Sequence, residues 1–346
     1  MKAFFYYILF WGVIAFFVSC KENRLKIIKQ FPQAHSLHGN RIDEGFVFKA
    51  GQIDIFDSLL IVTSTPGTTK CIHIYNKNNF EHIISLGEVG RGPNEISSPG
   101  LACVDKKSGI IWFRDMGHQK MWKFSISDIL VRNEYKPTYS IPLPPDNFFI
   151  QFECDHPEIF SFAAVDKNVL ISYFNHRGEI VDTLSVPDKL QIYSKIDDES
   201  RKFTSNYMYA DHPIKKIHAI AYRFADVFAI VDDRGKVISA VHGPDNILQD
   251  PDYSKIDQVL TTSDIRSDNE YIYCMYSGEK RMETKGGELT PNYAKKILVY
   301  NWEGNPVAVL NLEYPLVSFD VDSQNNLLYT FCPETGGIVY YQVPTF

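Results

Sequence analysis

From residue 50 onward the chain is a succession of short β-rich runs separated by Asp, Asn, Gly and Ser turns, grouped in units of roughly 40–55 residues. The first unit reads Gln52–Phe56, Leu59–Ser64, Cys71–Tyr75 and His82–Leu86. The second reads Leu101–Asp105, Ile110–Asp115 and Gln119–Ser125, with a poorer fourth run near Tyr135–Ile141. Three more fall at Phe149–Ser185, Tyr207–Val241 and Gln258–Leu312, and a sixth comprises Leu316–Val321, Leu327–Phe331 and Gly337–Gln342. Units this small cannot cover both of their own faces, so neighbours must stack. Asp105-Lys-Lys-Ser-Gly109 and Asp322-Ser-Gln-Asn-Asn326 link strands through Asx side chains that bond the local backbone and need no ligand. Asp320 and Asp322 lack the DxDxDG spacing of a calcium loop.

The sixth unit has three runs where its neighbours have four, which leaves an open edge that a strand from the other terminus can cover. Leu25–Phe31 is the first candidate for that strand and Arg41–Phe48 the second. The expected fold is therefore all-β: a six-bladed β-propeller with about four antiparallel strands per blade, closed by an N-terminal strand in the last blade. Composition agrees, since 14 % of residues are aromatic and suit a pleated, half-buried surface. One stretch departs from the pattern. Pro187–Phe203 places Leu190, Tyr193 and Ile196 at helical spacing, with Asp197, Asp198, Glu199 and Arg201 beyond, and reads as a short helical insertion.

Lys2, the uncharged run Ala3–Val18 and Ser19-Cys20-Lys21-Glu22-Asn23 form an address. The apolar run is closer to the ~7–15 residues of a secretory signal than to the ~20 of a spanning helix. A short positive start, an apolar stretch and a small residue directly before a Cys resemble a bacterial lipoprotein signal. That resemblance implies a cleaved signal peptide over 1–19, Cys20 as the lipidated residue, a tether over 20–24 and a single domain over 20–346. Lys21-Glu22 is similar to the lysine-then-acid signals that send some Bacteroides-type lipoproteins to the cell surface. The expected location is the cell envelope, as an outer-membrane lipoprotein, periplasmic or surface-exposed, touching the membrane only through the lipid at Cys20. The other cysteines, Cys71, Cys103, Cys154, Cys274 and Cys332, are widely spaced and lie mostly in apolar runs. An oxidising compartment permits a disulfide, but these surroundings favour buried free thiols.

Several segments carry a family resemblance. Ser85-Leu-Gly-Glu-Val-Gly-Arg-Gly-Pro-Asn-Glu95 resembles the G-x-G-P-x-E link of the TolB-like six-bladed β-propeller lipoproteins of Bacteroides-type bacteria. Phe224–Val237 is similar to their middle blade, and Tyr273–Gly278 with Ile297–Pro306 to their fifth. The resemblance implies the fold and the anchoring and carries no shared catalytic set, since fold does not fix function.

Candidate sites are few. In the Gly87–Glu95 loop, glycines permit amides to converge on an anion beside Arg91, although Pro93 removes a donor and no helix follows. Arg91, Asn94 and Glu95 are the contacts such a loop would offer. Arg114-Asp115-Met116-Gly117-His118 is a polar cluster between strands, with Arg114, Asp115 and His118 as candidate ligand contacts or acid–base groups. Tyr276 precedes the longest loop insertion, Glu279–Asn292, a candidate recognition surface. His35-x-x-His38 is the only close His pair and does not make a metal site; HExxH and GxSxG are lacking. No metal or cofactor is expected. Lys and Arg number 35 against 42 for Asp and Glu, a net charge of -7, so nucleic acid is not an expected partner. The resulting expectation is a non-enzymatic binding or scaffold module that meets a protein or glycan through a propeller face. Its rival is a hydrolase or lyase acting on a glycan or peptide in the central channel. If Cys20 is the anchor, Cys20→Ala should move the protein from the membrane fraction to the soluble one; unchanged partitioning would refute the lipoprotein assignment.

Overall fold

Leu59–Ser64 is buried at every position, as a strand must be when both faces of its sheet are covered. Successive side chains point to opposite faces. Leu59 and Ile61 accordingly pack with Ala102, Val104, Ile111 and Phe113 of the following sheet. Leu60 and Val62 pack with Tyr329, Phe331 and Ile338 of the last one. The first sheet thus sits between the second and the sixth, and the sheets form a ring.

The computed structural model describes residues 25–42, 51–64, 69–132, 135–144, 151–156, 159–164, 168–192, 207–252 and 255–346. Blade one is Gly51–Phe56, Leu59–Ser64, Lys70–Asn76 and His82–Glu88. Blade two is Pro99–Asp105, Ile110–Asp115, Lys120–Ser125 and Ser140–Pro142. Blade three is Phe152–His156, Ile159–Ala163, Val169–Asn175 and Ile180–Ser185. Blade four holds Tyr207–Asp211, Ile217–Tyr222, Val227–Asp232 and Val237–His242. Blade five holds Val259–Ser267, Tyr271–Lys280, Ala294–Asn301 and Pro306–Leu316. Blade six holds Ser318–Asp322, Leu327–Cys332 and Gly337–Gln342. Within each blade these strands pair antiparallel in chain order, and the first strand of each faces the central channel. A separate hydrophobic core fills every junction around the ring.

An N-terminal strand does complete blade six, but Leu25–Phe31 does not supply it. Asn40–Arg41 pairs antiparallel with Val339 and Tyr340, and Ile42 N donates to Ile338 O at 3.0 Å. This is the beginning of the second candidate; its residues 43–48 lie outside the described residues. Lys26–Ile27 instead lies parallel to Val241 and His242 as a fifth strand of blade four. Ile28 is buried in the core between blades four and five, and the Phe31 ring meets Tyr300 edge-on at 5.3 Å. Gln33–Leu37 then adds a parallel fifth strand to blade five. An outermost strand and a closing strand need the same apolar alternation, so pattern alone does not separate them. At the closed junction Lys77 Nζ reaches Asp322 Oδ2 of blade six at 2.6 Å, both side chains buried.

The thiol expectation needs correction in part. Cys103 and Cys154, on the inner strands of blades two and three, form a disulfide with a Cα–Cα distance of 6.3 Å. Cys71, Cys274 and Cys332 are free and buried. Apolar neighbours suit a half-cystine as well as a thiol, and the pairing needs two strands that meet only through the ring. A short helix, Ile126–Val131, buries Ile126 and Ile129 and is capped by Ser125, whose Oγ accepts from Asp128 N. Of the expected helical insertion, Asp188–Leu190 forms a 3₁₀ turn that buries Leu190. Its residues 193–203, together with the signal peptide, Cys20 and the tether, lie outside the described residues. The Glu279–Asn292 loop contains a two-stranded hairpin, Met282–Lys285 with Glu288–Pro291.

Cys103 and Cys154 are separated by 51 residues in sequence. The loop-entropy relation gives such a cross-link about 4 kcal/mol of stabilisation. Cys103→Ser combined with Cys154→Ser should therefore lower the unfolding free energy by about that amount in urea titration. A midpoint identical to that of the oxidised parent would show that the cross-link adds no stability.

Candidate functional site

In each blade the antiparallel order puts the incoming link and the turn between the second and third strands on one face of the ring. Arg91, Asn94, Glu95, Arg114, Asp115 and His118 all belong to this link face. The glycine loop is held by its own bonds: Val89 N donates to Thr69 O at 2.9 Å, Gly90 N to Ile96 O at 3.0 Å and Ile96 N to Glu88 O at 2.8 Å. Glu95 turns back to accept from Gly92 N at 2.7 Å. These amides are engaged and do not form an anion cradle. Arg91 and Asn94 are exposed.

Asp115 is the hub next to that loop. Its carboxylate accepts from Ser97 N and Ser98 N of the incoming link, both at 3.1 Å, and from Gly117 N at 3.1 Å and His118 N at 3.2 Å in its own turn. His118 Nδ1 lies 2.8 Å from Asp115 Oδ2. A Cβ at Gly117 would collide with Ser97 Oγ, so the turn can approach the link this closely only with glycine. Burial alone would raise the Asp115 pKa, but bonds from Ser97, His118 and Ser98 hold it below its ordinary value. Arg114 is fully buried, and burial pulls its pKa down to about 10.

Blade four repeats the device. Asp226 Oδ2 accepts from Asp245 N at 2.8 Å and Asn246 N at 3.0 Å in the link to blade five. Tyr276, almost wholly buried, donates its hydroxyl to Asp245 Oδ2 at 2.7 Å. Asp115, Glu95 and Tyr276 therefore brace junctions, Arg114 is buried, and the side chains of this set that face solvent are Arg91, Asn94 and, in part, His118.

The channel holds a second constellation, which the sequence reading did not single out. Asp54, Asp264, Arg266 and Asp320 project from the inner strands of blades one, five and six. Arg266 donates through Nε to Phe319 O at 3.0 Å, with Nη2 3.6 Å from Asp264 Oδ2. Asp320 Oδ2 accepts from Ile55 N at 2.8 Å and pairs with Lys106 Nζ at 3.1 Å. Arg266 lines two adjoining cavities of about 240 Å³ each, one towards the link face and one towards the opposite mouth. Burial pushes Asp54 up to about 6 against the pull of Arg266, and it raises Asp264 in the same way. Among the described residues no group of three or more His, Cys, Asp or Glu side chains is arranged to hold a metal ion. One available signal was the charge inside a first strand: Asp is depleted in strands, yet Asp54, Asp264 and Asp320 all sit in one.

A family model described as TolB-like 6-blade propeller-like matches residues 29–324. Among solved structures, a member of the DUF4221 family from Bacteroides vulgatus superposes with a TM-score of 0.60 at 11 % identity, covering 93 % of this chain and 98 % of its own. A protein of Bacteroides fragilis described as exported superposes with a TM-score of 0.51 at 11 % identity, covering 92 % and 98 %. The WD40 repeats of RRP9 superpose with a TM-score of 0.53 at 7 % identity, covering 91 % and 99 %, so a likeness at this level speaks to fold alone. No curated protein matches the chain in sequence.

Asp54 gives the channel a pH signature. An acid whose folded pKa is raised contributes stability that is complete below its ordinary value of 3.8 and lost as pH rises through about 6. Asp54→Asn removes that loss, so its advantage over the parent should grow between pH 4 and pH 7, towards about 3 kcal/mol. A variant-to-parent difference in melting temperature that stays flat over this range would refute the account.

Proposed function

The chain belongs to the TolB-like 6-blade propeller-like family, and from that premise we propose that it is a lipid-anchored envelope protein acting as a non-enzymatic binding or scaffold module. The observation that carries this reading is the small size of the channel's two adjoining cavities, about 240 Å³ each, with Arg266 in the wall of both. Each is smaller than the roughly 300–1,000 Å³ of a pocket that buries a drug-sized ligand, and so is too small for a glycan or peptide chain. Asp320 is paired with Lys106 of blade two and Asp264 with Arg266 of its own strand, which engages both carboxylates in ion pairs and does not suit them to act as general acid and base. The ring instead presents a rigid link face on which Arg91 and Asn94 stand exposed over a hydrogen-bonded frame, a geometry suited to a protein or glycan partner.

Placement in the envelope, with Cys20 as the outer-membrane lipid anchor, is part of the same proposal. It is supported by the leader sequence, by the Cys103–Cys154 disulfide, which persists in oxidising compartments, and by the structural likeness to a protein described as exported.

A photo-crosslinking residue in place of Asn94, in the full chain in intact cells, should give a discrete adduct. Arg91→Glu should abolish that adduct while leaving the melting temperature unchanged, because Arg91 is exposed and its side chain makes no bond among the described residues. An adduct indifferent to Arg91→Glu would overturn the link-face assignment. Turnover of a peptide or glycan that is lost in Arg266→Met would favour the channel enzyme.

A further inference from the structure

At the mouth opposite the link face, Asp54, Lys106, Glu153, Asp211, Arg266 and Asp320 line one of the cavities of about 240 Å³. Asp54 is 5 % exposed, and among the described residues its Oδ2 has no hydrogen-bond partner. Its Oδ1 has only the long 3.4 Å approach of Gln52 Nε2. The other carboxylates are engaged: Asp320 by Ile55 N and Lys106, Asp264 by Arg266, and Asp211 by His218 Nδ1 at 2.6 Å. A buried carboxylate oxygen left without a donor is costly, so one kept in a cavity wall is suited to a donor that arrives from outside.

Charge selects the donor. Asp54, Glu153, Asp211 and Asp320 in the wall carry four negative charges against the three positive charges of Lys106, Lys107 and Arg266, leaving one unit unbalanced. An anion would add to that excess, and a neutral alcohol would leave it uncompensated. The carboxylates are not arranged as a metal site among the described residues, and the charge of Arg266 acts on Asp54, Asp264 and Asp320 alike. An ammonium group supplies one compact charge and three donors.

We propose that this cavity binds a small molecule bearing a primary ammonium group, with Asp54 as its counter-ion. The site is independent of the link-face reading, because it lies at the other mouth and uses none of the same side chains.

The test is thermal unfolding of the full chain in detergent at pH 7 with glycinamide, compared with acetamide plus sodium chloride at equal ionic strength. Glycinamide should raise the melting temperature and acetamide should not. Asp54→Asn, which keeps the side chain's size, should weaken glycinamide by about tenfold or more, the scale of one lost charge-assisted hydrogen bond. Arg91→Glu should leave the shift intact. Glycine and putrescine beside glycinamide separate an amino-acid ligand from a polyamine by which of them binds more tightly. The absence of any shift, an equal shift with acetamide, or an undiminished shift in Asp54→Asn would each overturn the proposal.

Discussion

A ring of sheets has to find partners for the backbone N–H groups that leave one blade and enter the next, because there the ladder hydrogen bonds stop while burial continues. This chain meets that demand with short side chains reaching across junctions. Asp115 takes the amides of Ser97 and Ser98, Asp226 those of Asp245 and Asn246, and blade six lends Ser318 Oγ and Asp320 to Ile53 N and Ile55 N of blade one. These amides hold Asp115 below its ordinary pKa, while at Asp226 burial outweighs them and raises the pKa to about 6; in both cases the carboxylate fixes the positions of the loops it holds. The hydrophobic cores supply the bulk of the attraction between blades, and these bonds set how the blades are aligned.

That division of labour explains why polar residues in the links look like a site. A carboxylate beside a His and an Arg, flanked by glycines, is what a catalytic loop and a junction brace have in common. The difference lies in where the donors come from. At Asp115 and Asp226 they are backbone amides of the protein itself. At Asp54 one oxygen has no such donor, and a cavity lies beside it.

Most of the blade pattern was legible because it is local. Gln52–Phe56, Leu59–Ser64 and their counterparts declare themselves by apolar runs and Asx turns, and Gly109 and Asn326 take the positive φ such turns require. The missing strand of the sixth unit also showed that the N-terminus had to return. Which N-terminal segment filled it was not legible, since Lys26–Ile27, Gln33–Leu37 and Asn40–Arg41 all end up as outer strands of successive blades. The channel was least legible. Asp54 and Asp320 are far apart in sequence yet face each other across the closed junction, and the Cys103–Cys154 pairing depends on the same kind of long-range meeting.

The path of the first residues has a mechanical consequence. The N-terminal segment runs along the rim of blade four, then blade five, and only then joins blade six. A pull applied ahead of Leu25 would have to strip the short pairing on Val241 and His242, and next the longer one along Ala308–Leu312, before any tension reached the closing strand. The outer strands thus act as strain relief in series, and the ring can remain shut while the chain ahead of Leu25 is pulled.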